Sequence, residues 1–581
     1  MPVWRTPSSA NQPIPDAPMH FESLPADLLL DIAGYLTDRE QRLQLSLTSP
    51  HIYPKVIPSV YDNVKLAGSS QCLHTLAMLR DTPSLARHVQ SLEIYPDHAS
   101  AQESEDQTSF AAISALIVEV APYMDALHTF VWGSCSGESS GAMWNALLQS
   151  CPKLKHLSTA MSSPSPNCDR ALSAFSGLQS FTLSGHPDLP TSVSRDQSDM
   201  LIHRCPDLES LTLDCILDSD LSSANWPHLR SLNLGSNSID SHTIASFLDR
   251  HTSIEYLSLH PSNPIDLSSL SEDALPHLKR FSGSVDQLTS LACRGPSPSQ
   301  TYQATSRFSL DHPQAQFPLT HPLSRSLESL ILSECIPIGQ LTPFAMYSIL
   351  VGMKKLTSLK VMFDADTEYD PSAVLKTIVA AQPKLENLDI TFVGKESLSM
   401  VSLESFHKTI SRLSSLRHLS LTVVQSPSDE TTASAARRFV QTNRLLNDVR
   451  ITYIPTGPTP AYSSFNDSED IDSVYVRKAR FTVDHNIHDV PVTMYAVEYS
   501  QTAASGIGPS ALPAKRTCTR ATHDLRAASQ QQPHQARRRS ESSPVRTASS
   551  PTAGLDPKFS VLSALLLMAT VWGGGVAIDC L

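Results

Sequence analysis

The chain has 581 residues, 40% of them hydrophobic and 17% charged, which is too long for one ordinary core and favours several domains or one repeat array. The formal net charge of −13 at pH 7 argues against a general nucleic-acid binder, because phosphate contacts need clustered Lys and Arg side chains. The ten cysteines include no Cys-x-x-Cys pair, which argues against a disulfide scaffold and a paired-cysteine zinc site.

A helical block follows a proline-rich start. Residues 1–20 lack apolar periodicity and are predicted to be disordered. From Phe21 to Leu36 the apolar residues recur at helical spacing. A capping box at 37–40 then opens a second, leucine-rich helix. The sequence therefore predicts a small all-α domain over residues 21–66.

This block resembles an F-box. It opens with Leu-Pro-Ala-Asp-Leu-Leu at 24–29, continues through Ile32 and Leu36, and departs from the family at 52–54, where Ile-Tyr-Pro stands in place of the Trp often found in the third helix. The resemblance implies docking on a Skp-family adaptor and, through it, on a cullin scaffold with a ubiquitin-charged enzyme. Some of the implied contact residues must instead form the core of the block. The implied adaptor-binding residues are Leu24, Pro25, Leu28, Leu29, Ile32, Leu36, Leu43, Leu45 and Leu47.

A second pattern, apolar-x-x-apolar-x-apolar, recurs through residues 88–455, after a predicted linker at 67–87. Most spacings lie in or near the roughly 20–29 residues of leucine-rich repeats. Helical patterns lie between the matches, and a proline often precedes the anchor leucine by two residues, which ends the helix and turns the chain into the strand. The thirteen matches begin at Val89, Leu127, Leu154, Leu178, Leu208, Leu229, Ile254, Leu278, Leu327, Leu356, Leu385, Leu416 and Leu446.

These repeats predict an α/β leucine-rich-repeat solenoid, a horseshoe preceded by the small all-α helix cluster. The pattern is similar to the irregular repeats of F-box proteins with leucine-rich repeats. The long gap between Leu278 and Leu327 contains a Pro/Ser/Gln/Thr-rich stretch, and we expect a loop insertion near 284–326.

The residues between the apolar positions of each strand are expected on the concave face of the solenoid, because strand side chains alternate. They are mostly small, polar and weakly charged. Such a surface suits a protein partner recognised by hydrogen bonds and a few aromatic anchors, and not a phosphate backbone. The predicted substrate-binding residues are Thr212, Asn233, Tyr256, Ser258, His260, Lys360, Asp389 and His418.

Three further segments follow the repeats. Two alternating runs within 456–500 predict a strand pair suited to cap the last repeat. Residues 501–557 are rich in Ser, Ala, Pro, Gln and Arg and are predicted to be disordered. The apolar tail at 558–581 holds an uncharged run, Phe559–Ile578, which as a helix would rise about 30 Å and cross a bilayer. Its triple glycine at 573–575 favours the opposite interpretation, a cytoplasmic or nuclear protein without a membrane anchor.

No catalytic signature accompanies these elements. The sequence lacks a P-loop, a dinucleotide-binding glycine loop and a His-Glu-x-x-His motif, so we expect no catalytic residue, metal or cofactor. The favoured function is a non-catalytic substrate receptor of a Skp–cullin–F-box ubiquitin ligase, which holds an unidentified protein substrate near the transferring enzyme. The alternative is a protein-binding structural scaffold that works without ubiquitin ligation, with or without a membrane-anchored tail.

Overall fold

The structure, a computed structural model, describes most of the chain between residues 21 and 501, within the compact unit Met1–Leu525. The segment 1–20, the tail 558–581 and almost all of 501–557 lie outside the described residues, so the predictions for them stay predictions. The described residues are 21, 24–36, 39–96, 106–133, 140–160, 166–185, 192–193, 195–214, 216–217, 223–235, 240–263, 265–271, 273–292, 326–339, 342–365, 371–393, 400–425, 431–455, 477–485, 491–501 and 523–524.

Three short helices open the described chain: α1 (Ala26–Tyr35), α2 (Arg39–Ser46) and α3 (Tyr53–Tyr61). Pro25 occupies the N-cap position of α1, and a proline lies in the first turn of α3, where the missing amide hydrogen costs no helical bond. The helices share a small core of their own. Its fully buried members are Leu29, Ala33, Ile52, Val56, Ile57 and Val60.

The rest of the described chain is built on a 17-stranded sheet. Fourteen of its strands are parallel, and each pairs with the next one along the chain, apart from the short strands β6 (Ser192–Val193) and β8 (Ile216–Leu217), which form a separate pair. The parallel strands are β1 (Asn63–Ala67), β2 (Ser91–Tyr95), β3 (Thr129–Trp132), β4 (His156–Ala160), β5 (Ser180–Ser184), β7 (Ser210–Asp214), β9 (Ser231–Leu234), β10 (Tyr256–Leu259), β11 (Arg280–Gly283), β12 (Ser329–Pro337), β13 (Ser358–Asp364), β14 (Asn387–Val393), β15 (His418–Gln425) and β16 (Asp448–Pro455).

Most connections between parallel strands contain a described helix, as parallel pairing requires a crossover. The helices bury their apolar faces in the same core as the strands. They are α4 (Ser69–Asp81), α5 (Pro83–Ala86), α6 (Asp106–Val120) with a 3-10 turn at Ala121–Tyr123, α7 (Gly141–Ser150), α8 (Pro166–Leu172), α9 (Arg195–Arg204), α10 (Ser241–Arg250), α11 (Val285–Ala292), α12 (Thr342–Leu350), α13 (Pro371–Ala381), α14 (Met400–Ile410) and α15 (Thr432–Thr442).

The first apolar position of every parallel strand falls in one unbroken column, because neighbouring strands pair in register. Every side chain in this column is buried. All thirteen anchors found in the sequence lie two residues before a strand, so the prediction of an α/β solenoid on a long parallel sheet is confirmed. The column is Val64, Leu92, Phe130, Leu157, Phe181, Leu211, Leu232, Leu257, Phe281, Leu330, Leu359, Leu388, Leu419 and Val449.

Polar side chains at helix ends tie neighbouring repeats together. Gln382, after α13, donates from Nε2 to the carbonyls of Leu350 and Met353 in the preceding repeat, the second at 3.0 Å. Asn443, after α15, donates to the carbonyl of Leu413 at 2.6 Å. Each of these carbonyls already accepts a backbone N–H at or just after the end of the preceding helix, so the side-chain amide is a second donor to it and is itself paired in the core.

The structure corrects two predicted boundaries. Residues 67–87, predicted as a linker, hold helices α4 and α5, and strand β1 before them already belongs to the sheet. The repeats therefore begin at Asn63 and not at residue 88. The loop insertion predicted near 284–326 also begins too early, because its first part forms α11. Residues 293–325 lie outside the described residues.

Three antiparallel strands continue the sheet beyond β16: β17 (Arg477–His485), β18 (Pro491–Gln501) and the two-residue β19 (His523–Asp524). The first two lie where the sequence predicts a strand pair. Phe481 and Val483 of β17 are buried in the core next to β16. β17 thus covers the apolar side chains that the last parallel strand would otherwise leave open.

Candidate functional site

Helices α1 and α2 both pack on α3, and polar contacts fix their ends. The Lys55 ammonium donates to the carbonyl of Leu24 at 2.9 Å. The Arg42 guanidinium donates to the carbonyls of Leu36 at 2.8 Å and Ser59 at 2.7 Å. It also lies 3.5 Å from a carboxylate oxygen of Asp62, next to strand β1. The three helices are therefore held in a defined arrangement beside the first strand of the sheet.

Large apolar side chains are exposed on this helix cluster far more than elsewhere. Of the ten exposed large hydrophobic residues in the described part of the chain, seven lie between residues 21 and 53. On α1, Leu28 and Tyr35 lie seven residues apart, on one face of the helix, and on α2 the same holds for Leu43 and Leu47 at a spacing of four. The seven are Phe21, Leu28, Leu30, Tyr35, Leu43, Leu47 and Tyr53.

The nine predicted adaptor-binding residues divide into three groups in the structure. Leu29 is fully buried in the core of the cluster, so it supports the fold and offers no contact surface. Leu24 and Leu45 are half-buried and pack against that core, while Ile32 and Leu36 are also half-buried. The exposed members are Pro25, Leu28, Leu43 and Leu47.

Four further exposed apolar side chains of the helix cluster are absent from the sequence-based set: Phe21, Leu30, Tyr35 and Tyr53. Tyr35 is the most exposed of all, at 87%. Its position was detectable, because Leu28, Ile32 and Tyr35 follow the i, i+4, i+7 spacing that places side chains on one helix face. Tyr53 is the first residue of α3.

The predicted substrate-binding residues all lie on the polar face of the sheet, and register brings some of them together. Thr212, Asn233 and Ser258 are neighbours in one row across β7, β9 and β10. Tyr256 and His260 lie on β10 and directly after it, and all five are half-buried. They form a neutral, hydroxyl-rich surface in the middle of the solenoid.

The other three predicted residues lie further along the sheet. Lys360 and Asp389 are partners in register on β13 and β14, with the ammonium 3.7 Å from the carboxylate. His418 is exposed at the start of β15. At least two strands separate this group from the Thr212 row, so the predicted set is spread along the face and does not converge on one point.

Burial affects the pKa of the single histidine in the central group. Desolvation lowers the pKa of His260, and the Asp214 carboxylate opposes this effect. The backbone N–H of Ser262 donates to His260 Nδ1 at 3.2 Å, so that nitrogen is unprotonated. His260 therefore presents a neutral imidazole at neutral pH.

The described residues hold neither a metal-binding cluster nor a helix that could span a membrane. Within these ranges, no group of three or more His, Cys, Asp and Glu side chains is placed to hold a metal ion. None of the described helices combines the length and the apolar character needed to cross a membrane. The predicted apolar run Phe559–Ile578 lies outside the described residues.

Comparisons with known proteins return structural similarity alone. No family model matches the sequence, and no curated protein matches it. A TLR13–ssRNA13 complex has 19% identity and a TM-score of 0.29, over 58% of this chain and 44% of that one. The Rad7–Elc1 complex of yeast has 11% identity and a TM-score of 0.32, over 72% of this chain and 90% of that one. The chain thus spans less than half the length of the TLR13 chain that it matches.

Proposed function

We propose that the protein is a non-catalytic substrate receptor of a Skp–cullin–F-box ubiquitin ligase. Helices α1–α3 dock on a Skp-family adaptor, and the polar face of the solenoid holds a protein substrate. The main support for adaptor docking is that seven large apolar side chains are exposed on the short N-terminal helix cluster, whereas only three are exposed in the rest of the described chain.

The exposed side chains have the physical character of a binding surface. Exposed apolar side chains concentrated on a few short helices are typical of sites of protein contact, because their burial in a partner is favourable by about 25 cal/mol per Å². Their stripes on α1 and α2 begin beside the Leu-Pro-Ala-Asp-Leu-Leu segment that resembles an F-box. The surface and the resemblance therefore point to the same helices.

The solenoid supplies the second half of the proposal. Its polar face presents hydroxyls, an amide, an aromatic ring and a few charges on a rigid sheet, which suits recognition of a protein surface. Simultaneous binding of adaptor and substrate raises the effective concentration of the substrate near the transferring enzyme. The protein itself then needs no reacting group.

Co-purification tests the proposal with side chains that are exposed and therefore removable without loss of the fold. Full-length protein and a Tyr35→Ser, Leu47→Ser double variant are expressed with a Skp-family adaptor. We expect the wild type to retain the adaptor and the variant to lose it. The matched control is Phe344→Ser on α12, which also removes an exposed apolar side chain, 46% accessible, but outside the helix cluster. It is expected to retain the adaptor.

Circular dichroism confirms first that all three proteins are folded. If the wild type fails to retain the adaptor, or the double variant retains it as well as the wild type, the docking proposal is wrong. A folded chain that captures a protein partner without any adaptor would instead favour the alternative, a structural scaffold that works without ubiquitin ligation.

A further inference from the structure

Helix α12 exposes an apolar stripe on the side that faces away from the core. Its side chains Met346 and Ile349 are buried, whereas Phe344 on the opposite side is 46% exposed. Val351, which is 37% exposed, lies seven residues later on the same side, because its backbone N–H still donates to the Tyr347 carbonyl at 2.9 Å. Tyr347 is half-buried between them. We call Phe344, Tyr347 and Val351 the outer stripe.

The outer stripe is unusual for a helix on the outside of the solenoid. The exposed positions of α7 and α10 hold polar side chains such as Asn145, Gln149, His242 and Arg250. Helix α12, in contrast, contains no charged residue. Outside the helix cluster, three large hydrophobic side chains of the described chain are exposed, and two of them belong to the outer stripe. Because a face that stays in water is normally polar, the stripe indicates a surface that packs against something.

The chain itself supplies a segment next to this helix. Helix α12 packs on the helix after it, α13, and the described chain shows no comparable contact with α11, the helix before it. Between α11 and β12 the chain passes through residues 293–325, outside the described residues. It returns beside the turn that follows α12, since the backbone N–H groups of Thr357 and Ser358 donate to the Glu328 carbonyl at 2.9 and 3.0 Å. The segment therefore ends close to the Val351 end of the outer stripe.

The length of the segment is sufficient to cover the stripe. Phe344 and Val351 are two helical turns apart, a distance of about 10 Å along the helix axis. Fifteen extended residues reach roughly 50 Å, so less than half of residues 293–325 can run along the stripe and return to β12.

The composition of the segment also fits an uncharged apolar surface. Residues 293–325 include only four Asp, Glu, Lys or Arg side chains, and a Phe-x-Leu pair occurs twice, at 308–310 and 317–319. In an extended chain, residues two apart point to the same side, so each pair presents a phenyl ring and a leucine side chain together. A charged partner would find no opposite charge on α12.

We propose that residues 293–325 pack against the outer stripe of α12. The contact buries apolar surface on both sides, which is favourable by about 25 cal/mol per Å². Because the segment is tethered next to the stripe, its effective concentration there exceeds that of a second copy of the chain or of a separate protein. This inference does not depend on the proposed function. The side chains assigned to the contact are Phe308, Leu310, Phe317 and Leu319.

Photocross-linking of the full-length protein, without any adaptor, tests this contact. The photoreactive amino acid p-benzoylphenylalanine replaces Phe344, and in a matched control it replaces Tyr123, an aromatic side chain that is 42% exposed outside the outer stripe. Mass spectrometry identifies the linked peptides, and circular dichroism confirms that every protein is folded. The apolar variant combines Phe308→Ser, Leu310→Ser, Phe317→Ser and Leu319→Ser, and the polar control combines Gln300→Ser, Gln303→Ser, Gln314→Ser and Gln316→Ser.

We expect the probe at position 344 to link to residues 293–325 of the same chain, and the probe at position 123 not to do so. The apolar variant should lower the yield of this product about tenfold, because it removes the side chains that bury the stripe, and the polar control should keep the yield. Absence of the link in the wild type, or an equal yield from the apolar variant, would overturn the proposal. Links between two copies of the chain would overturn it as well and would assign the stripe to self-association. Because no adaptor is present, none of these results bears on adaptor docking.

Discussion

The helix cluster and the solenoid use the same residue types in opposite ways. Along the solenoid, leucines in register such as Leu232 and Leu257 are fully buried. In the helix cluster, Leu28 and Leu47 are 46% and 67% exposed and Tyr35 is 87% exposed. Each strand of the solenoid is covered by the repeats beside it, whereas these three side chains of the helix cluster stay open to solvent. The same apolar content thus stabilises one region and leaves the other with a surface for a partner.

The largest expected effect comes from removing the neighbours that cover a repeat. A fragment that ends at Leu332 loses β13 and uncovers the apolar side chains of β12, so we expect it to aggregate. A fragment that ends at Gln501 keeps the whole described sheet up to β18 and should stay monomeric in size-exclusion chromatography. A folded, monomeric fragment ending at Leu332 would show that the repeats form independent domains. Packing of each repeat against the next would then not be needed for folding.

A single leucine in each region sharpens the comparison. Leu257→Ala opens a cavity in the buried column and should lower the free energy of unfolding by about 3 kcal/mol. Leu47→Ala removes an exposed side chain and should change it by less than about 0.5 kcal/mol. Urea denaturation followed by circular dichroism measures both. Similar losses in the two variants would mean that α2 is packed against the chain and not open to a partner.

A smaller effect is expected at a buried histidine of the solenoid. The backbone N–H of Trp226 donates to His251 Nε2 at 3.0 Å, so Nδ1 carries the hydrogen and donates to the Phe247 carbonyl at 2.7 Å. Burial lowers the pKa of His251 in the folded state. As the pH falls below the unfolded value of about 6.5, the unfolded chain therefore binds a proton that the folded chain does not, and stability is lost.

Thermal melting at a series of pH values tests whether stability falls as the pH is lowered. Wild-type stability should fall as the pH is lowered from about 7.5 to about 5.5, and the fall should be shallower in His251→Gln. A variant with the same slope as the wild type would show that His251 does not contribute to the pH dependence.

The smallest effect is expected from a surface ion pair between neighbouring strands. The Lys279 ammonium lies 2.6 Å from the Glu255 carboxylate and lowers the pKa of Glu255. Both groups are open to solvent, which screens the pair and leaves little net stabilisation. Lys279→Ala should leave the melting temperature unchanged within error, and a clear drop would mean that surface charges contribute to holding the repeats together.

The repeats could be predicted from the sequence because the apolar residues that recur in each repeat are also the residues that are buried. The strand that sequence analysis missed, β1, begins after Tyr61, and Tyr61, Val64 and Leu66 fit the repeat template once a tyrosine is accepted as the anchor. The helix cluster was harder, because helical spacing marks Leu28 and Leu29 alike as apolar. Only packing on α3 separates the buried Leu29 from the exposed Leu28. The pairing of Arg450 with Arg480 could not be predicted for a similar reason, since antiparallel pairing of distant segments brings these two residues together.

Hydrogen exchange of the full-length protein, with and without a purified Skp-family adaptor, tests the central claim most directly. If the exposed apolar side chains of α1 and α2 form the docking surface, amide exchange should slow within residues 26–47 when the adaptor binds. Exchange in the parallel strands of the solenoid should stay unchanged, because their apolar side chains are already buried. Protection confined to the solenoid, or no protection at all at saturating adaptor, would contradict the account.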